Sequence, residues 1–265
     1  MRYELELTTE NGLPVLASPK FICERSILIC FTTRLGGVSP APYDALNLGQ
    51  HVGDDPANVM ENRRRVLSAL GLDETRLKTV RQVHGNGILR VDEKKCAIGA
   101  TETGDIEADA LMTGLNKTPI AVFTADCVPV VLADAARRKI TVVHAGWKGI
   151  YSLIVPRALA AMKEAVHSET GDVYAFIGPA VGPCCYEVDE ARAGLFGEKY
   201  IDRQPGKIRL DLPAIVRDQL REAGLEPDRI SGSGLCTCCR KDLFFSFRRD
   251  GICGRQMAAA ALLEA

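Results

Sequence analysis

The stretch "TADCVPVVLADAARRKITVVHAGWKG", residues 124–149, holds two short apolar runs, at 129–133 and 139–143, with a charged turn between them. Both runs read as strands, and the "DAARRK" turn joins them as a hairpin. A third apolar run at 119–124 reads as the strand before them. Ile27–Thr32, 80–83, Ile88–Val91 and Val173–Ile177 give further strand patterns. Helical signals lie among them. Asp55 followed by Pro56 starts a helix that runs to about Leu70 and stops at Gly71. Leu153, Leu159, Met162 and Val166 have helical spacing within 152–167, with Pro156 tolerated only near the first turn. An amphipathic helix is expected over 211–223, ending at Gly224, and a closing helix over 255–263. Hairpin-joined strands interspersed with helices favour an α/β (α+β) fold with mixed sheets over a purely parallel one. No repeat or linker divides the chain, so one domain over 1–265 is expected.

Composition narrows the partners. The chain has 265 residues, 46% hydrophobic and 25% charged, with a net charge of −1. It can bury a large core without staples. No global field draws it to nucleic acid or to a membrane surface. No apolar stretch is long enough to span a bilayer, and Met1-Arg2-Tyr3-Glu4 lacks the pattern of a signal peptide. A cytoplasmic protein without nucleic-acid or membrane partners is expected. No feature of the sequence sets an oligomeric state.

Ten cysteines in such a chain read as reduced thiols or metal ligands rather than a disulfide framework. Cys23, Cys30 and Cys96 look incidental. Of the four histidines, His51 lies in a polar loop and His167 at a helix end, where the helix dipole favours a surface imidazole. His84 and His144 each sit where a strand gives way to a glycine-rich turn, and Cys127 lies at a strand boundary too. Two imidazoles and one thiolate suit Zn²⁺ and leave a fourth position open. The same residues also allow a Cys127 nucleophile with a His144 base. Sequence spacing leaves both readings standing.

Two other patterns carry less. Cys236 and Cys239 form a C-x-x-C, and the adjacent Cys184-Cys185 pair could complete a second, structural metal site. Adjacent cysteines are poor chelates, so that reading is the weaker one. The "HSE" at 167–169 with Pro183-Cys184 starts a zinc-deaminase signature, but Glu187 stands where its last cysteine belongs. Trp147, the only tryptophan, is either a stacking wall or core.

Taken together, "FTTRLGGVS", "LNLGQHVGDD", "RQVHGNGI", "ADALMT", "FTADCVPVVL", "VHAGWKGI", "IGPAVGPCCYEV", "CTCC" and "FFSFRRDG" make the chain resemble one family. It is similar to the YfiH-like laccase-domain proteins, also called multicopper polyphenol oxidase or peptidoglycan editing factor proteins. The resemblance implies a sandwich of mixed sheets flanked by helices, distantly similar to the catalytic domain of cytotoxic necrotizing factor toxins. It implies a metal, zinc with copper the other candidate, on His84, Cys127 and His144. It implies phosphorolysis of adenosine, inosine, guanosine and methylthioadenosine, and deamination of adenosine. Purine nucleosides and phosphate would be the partners. The copper-oxidase label fits poorly, because copper laccases use many histidines. The alternatives are an amidase that edits peptidoglycan precursors and a zinc-stabilised interaction module.

On this reading Arg34 and Asn47 are candidates for both catalysis and substrate binding, with Arg34 suited to phosphate and Asn47 to a base or sugar. Asp126 is either a general acid/base or, preferably, the group that orients a histidine ligand. Trp147 and Lys148 are expected to touch substrate, and Arg255 is a further anion-clamp candidate.

Overall fold

The computed structural model describes residues 3–96, 105–166 and 173–264. His167, the "HSE" stretch and the side chain of Cys96 lie outside the described residues. Two sheets dominate. The first has five strands in the order β1 (Glu6–Glu10), β2 (Leu13–Ala17), β3 (Ile27–Thr32), β13 (Gln256–Leu262), β6 (Ile120–Thr124), all antiparallel. The second has six, in the order β12 (Ile230–Gly232), β9 (Val173–Ile177), β7 (Val128–Asp134), β8 (Lys139–Ala145), β5 (Ala110–Thr113), β4 (Ile88–Val91). Its two outer pairs are parallel and its inner pairs antiparallel. A separate ribbon joins β10 (Ile201–Gln204) and β11 (Lys207–Leu210). Among the described residues, the helices of five or more residues are α1 (Pro19–Arg25), α2 (Pro56–Ala69), α3 (Trp147–Tyr151), α4 (Ile154–Val166) and α5 (Leu212–Glu222).

The two sheets stack face to face. Ile29 and Phe31 of β3, Val122 of β6 and Ala258 of β13 meet Val131 of β7, Val142 of β8 and Phe176 of β9 in one buried cluster. The alternate residues of the same strands point outward and are covered by helices. Val130, Leu132 and Val143 pack against Leu159 and Met162 of α4 and Val216 and Leu220 of α5. Ala121, Met257 and Ala259 pack with Val66 and Leu67 of α2. Covering both faces is why the central strands are continuous apolar runs. Each fully buried Val, Leu or Phe contributes about 1.5–3 kcal/mol. Two of the helices start on aspartate caps, the first as expected. Asp55 accepts from Ala57 N at 2.8 Å, and Asp211 from Ala214 N at 3.0 Å.

Three local expectations need correction. Residues 256–262 form β13, not a helix. Their alanines have high helix propensity, but the segment is buried along its whole length between β3 and β6, and tertiary pairing overrides propensity. Residues 80–83 form no named strand. Arg81 makes one isolated bridge to Glu107, and the amides of Val83, His84 and Gly85 bond to the Asp109 carboxylate instead of a neighbouring strand. Leu153, counted on the apolar face of a helix, is exposed at φ +60° in the break between α3 and α4. β6 and β7 are consecutive but lie in different sheets, so "TADC" is where the chain crosses between them.

Candidate active site

That crossing builds the floor of the site. Asp126 turns the chain at φ +94°, a costly conformation for a non-glycine residue. The β7–β8 register sets Val128 opposite Ala145 and Pro129 opposite His144. Cys127 therefore arrives beside Gly146. His84 comes from the loop before β4, also at positive φ (+57°). Its ring centroid lies 4.8 Å from that of His144. One donor atom from each of His84, Cys127 and His144 falls within 4.8 Å of the others. Gly146 leaves the space they need. A Cβ there would stand 2.7 Å from His84 Nδ1 and 3.2 Å from Cys127 Sγ.

Asp109, at the start of β5, holds this arrangement from behind. It is fully buried. Its oxygens accept from the backbone of Val83 (3.3 Å), His84 (3.0 Å) and Gly85 (2.6 Å), and Oδ1 lies 2.8 Å from His144 Nδ1. An ionised carboxylate only accepts, so Nδ1 carries a proton, and Nε2 is the nitrogen that can give its lone pair to a metal once the ring is neutral. Burial would push the Asp109 carboxyl up, but the bond and charge of His144 and these amides hold it below its usual value.

Burial would likewise push the Cys127 thiol up. The charge of His144 and hydrogen bonds from both histidines outweigh it and bring the thiol down to about 6. Burial would lower His144, yet Cys127 and Asp109 hold it up to about 9. Without a metal the pair is thiolate and imidazolium. Two imidazoles, a ready thiolate and a carboxylate behind one imidazole could hold a metal ion, and the donor set is of the kind zinc takes.

The cleft above has a volume of roughly 660 Å³, in the range of small-molecule sites. Its walls carry Phe123, Trp147, Tyr186 and Phe247, and the guanidinium groups of Arg192, Arg248 and Arg255. Arg192 stacks 4.7 Å over Trp147, Arg248 5.3 Å over Tyr186, and Arg255 5.8 Å over Phe247. Arg192 Nε is buried without a hydrogen-bond partner among the described residues. His51 lines the same cleft, and burial plus the charges of Arg255 and Arg63 lower its pKa.

The expected residues divide into two groups. His84, Cys127, His144, Asp126 and Trp147 come together at the cleft, and Arg255 joins them. Lys148 lines a smaller hollow beside it, with Trp147 and Tyr186. Arg34 and Asn47 line neither. The Arg34 guanidinium bonds to the carbonyl and carboxylate of Asp44 and lies 4.7 Å over Phe245. Asn47 is fully buried and braces Gly49, Asp54 and the backbone of Arg255. In both, the polar atoms bond to protein partners. Asp126 does not orient a histidine. Its Oδ1 accepts from Thr237 Oγ1 and its Oδ2 from Arg248 N, both at 2.6 Å.

Asp109, Tyr186, Arg192, Phe247 and Arg248 were not singled out from sequence. Four of them lie within motifs that carried the family resemblance, "ADALMT", "GPCCYEV" and "FFSFRRDG". Arg192 lies in none and had no signal.

Residues 28–263 match the family described as multi-copper polyphenol oxidoreductase laccase. The chain belongs to this laccase-domain family. Its relatives include the purine nucleoside phosphorylase YlmD of Geobacillus stearothermophilus, 37% identical over 86% of this chain and 87% of that protein. A purine nucleoside phosphorylase of Mycobacterium bovis is 41% identical over 84% and 87%. Among solved structures, YlmD of G. stearothermophilus superposes with a TM-score of 0.89 at 33% identity, covering 97% of this chain and 99% of that one. The Bacillus licheniformis protein YfiH gives 0.87 at 33% identity over 94% and 96%. The laccase-domain fold is thus a mixed α/β arrangement of several sheets flanked by helices. No helix among the described residues is long and apolar enough to cross a membrane.

Proposed function

We propose that this chain is a metal-dependent purine nucleoside phosphorylase acting on inosine, adenosine, guanosine and methylthioadenosine, and that the same centre deaminates adenosine. The observation that carries the reading is a His–Cys–His donor set on the floor of a cleft walled by arginines and aromatic rings. The names of the relatives support it. Zinc on His84, Cys127 and His144 would supply positive charge and Lewis-acid polarisation at the floor.

The rest falls to side chains of the chain itself. Arg192 and Arg248 line the cleft and bind the phosphate anion through their guanidinium groups. Trp147, Tyr186 and Phe247 offer flat apolar faces to the purine. Phosphorolysis then needs a phosphate oxygen to bond to the anomeric carbon while the glycosidic C–N bond breaks. The electron pair leaves on the purine, which takes up a proton. Asp126 fixes the backbone of Arg248 and the Thr237 hydroxyl, so it positions the anion clamp instead of moving a proton.

The test is turnover of inosine and adenosine with and without phosphate. Hypoxanthine and ribose 1-phosphate should form from inosine only when phosphate is present. Adenosine should yield inosine and ammonia in its absence. Phosphate-independent release of an amino acid from a muropeptide, with nucleosides untouched, would overturn the reading in favour of amide cleavage.

A further inference from the structure

A second group of donors converges away from the floor of the cleft. Cys184 and Cys185 sit on the turn after β9, and Cys236 and Cys239 on the turn after β12. One sulfur from each lies within 4.8 Å of all the others. Cys239 Sγ is 3.5 Å from Cys184 Sγ and 3.4 Å from Cys185 Sγ. Around a zinc ion with bonds of about 2.3 Å, tetrahedral thiolate sulfurs stand about 3.8 Å apart. The observed spacing is therefore that of ligands around a single ion. It is too tight for the multi-atom cage of an iron–sulfur cluster.

The backbone is shaped to bring them there. Adjacent cysteines normally diverge, but the amides of Cys185 and Tyr186 both bond to Gly182 O at 3.0 Å, and this tight turn swings both sulfurs onto Cys239. Cys236 and Cys239 are spaced as a C-x-x-C knuckle, and Gly182 N donates to Cys236 Sγ at 3.2 Å. Amide donors of this kind orient a sulfur and favour its thiolate. A Cβ at Gly182 would lie 3.3 Å from both Cys184 Sγ and Cys236 Cβ, so the turn is packed against the sulfurs. Cys238, the intervening cysteine, is not among the four whose sulfurs all meet within that distance, and it packs on the hydrophobic core as Cys185 also does.

We propose that Cys184, Cys185, Cys236 and Cys239 hold one zinc ion in a closed four-thiolate site. Its role is structural. It ties the turn that ends in Tyr186 to the turn that carries Thr237. Tyr186 lines the cleft, and Thr237 holds Asp126. Arg249 also holds the second of these turns, through the carbonyls of Thr237 and Cys238, both at 3.0 Å. With four protein ligands, this site has no position for substrate.

The experiment is metal analysis of the purified full chain, prepared under reducing conditions. The wild-type protein should carry two zinc ions per chain, and Cys127→Ala should keep one. Cys236→Ser with Cys239→Ser should also keep one and should melt at a lower temperature. Should that double variant fail to fold, cobalt exchange into Cys127→Ala protein decides the matter. A tetrahedral spectrum with charge-transfer intensity for four thiolates supports the site. A metal-free Cys127→Ala protein, iron in place of zinc, or a disulfide among the four cysteines on peptide mapping would overturn it.

Discussion

Asp109 Oδ1 lies 2.8 Å from His144 Nδ1 and 3.0 Å from the backbone nitrogen of His84. One buried carboxylate thus sets the tautomer of one donor and the loop position of another. Asp109→Asn keeps the shape but removes the charge and turns an amide toward N–H donors. Metal affinity should fall about 10–100-fold. Asp109→Ala should also cost about 2–4 kcal/mol of stability, because several buried donors lose their partner. Zinc titration and thermal melts read the two effects separately.

Gly146 separates the fold from the site. Its backbone, at φ −73° and ψ 167°, suits any residue. Its missing Cβ is what makes room for His84 and Cys127. Gly146→Ala should melt within a few degrees of wild type yet bind zinc at least ~10-fold more weakly, because a ring displaced by even a fraction of an ångström loses its ligand geometry. Unchanged zinc affinity would show that His84 is not a ligand.

The metal-free protein should hold a reactive thiolate. Cys127 sits at about 6 beside an imidazolium at about 9. Its alkylation by iodoacetamide should therefore rise with pH through about 6, where an ordinary thiol would rise only toward 9. Zinc should suppress it. Rates followed by mass spectrometry on the peptide containing Cys127 check both points.

Arg192 should report the anion. A charge-assisted hydrogen bond contributes about 1.5–3 kcal/mol, so Arg192→Ala should raise KM for phosphate about 10–100-fold. Arg192→Lys should recover only part of this, because lysine cannot present a forked pair of donors and a planar stack over Trp147 together. Phosphate titrations at saturating inosine give the comparison.

Much of this architecture was written in local pattern. The β7–β8 hairpin, the Asp55 cap and the meeting of His84, Cys127 and His144 in one place all followed from residue type and spacing or from motif. What failed to follow was long-range. Gln256–Leu262 has a helical composition, and only its place between β3 and β6 makes it a strand. Asp109 is one acid among many until folding sets it under His84 and His144. Arg34 and Asn47 sit in glycine-rich loops that look like binding loops, but those loops fold back on Asp44 and Asp54. Two adjacent letters do not show that the turn at Gly182 brings the Cys184 and Cys185 sulfurs together on Cys239.

The most direct test of the account pairs zinc content with phosphate-dependent cleavage of inosine in wild-type protein and Cys127→Ala. The account predicts loss of one zinc per chain together with loss of nearly all hypoxanthine release. Retention of the full zinc content while activity vanishes would contradict it, and would make Cys127 a nucleophile with His144 as its base.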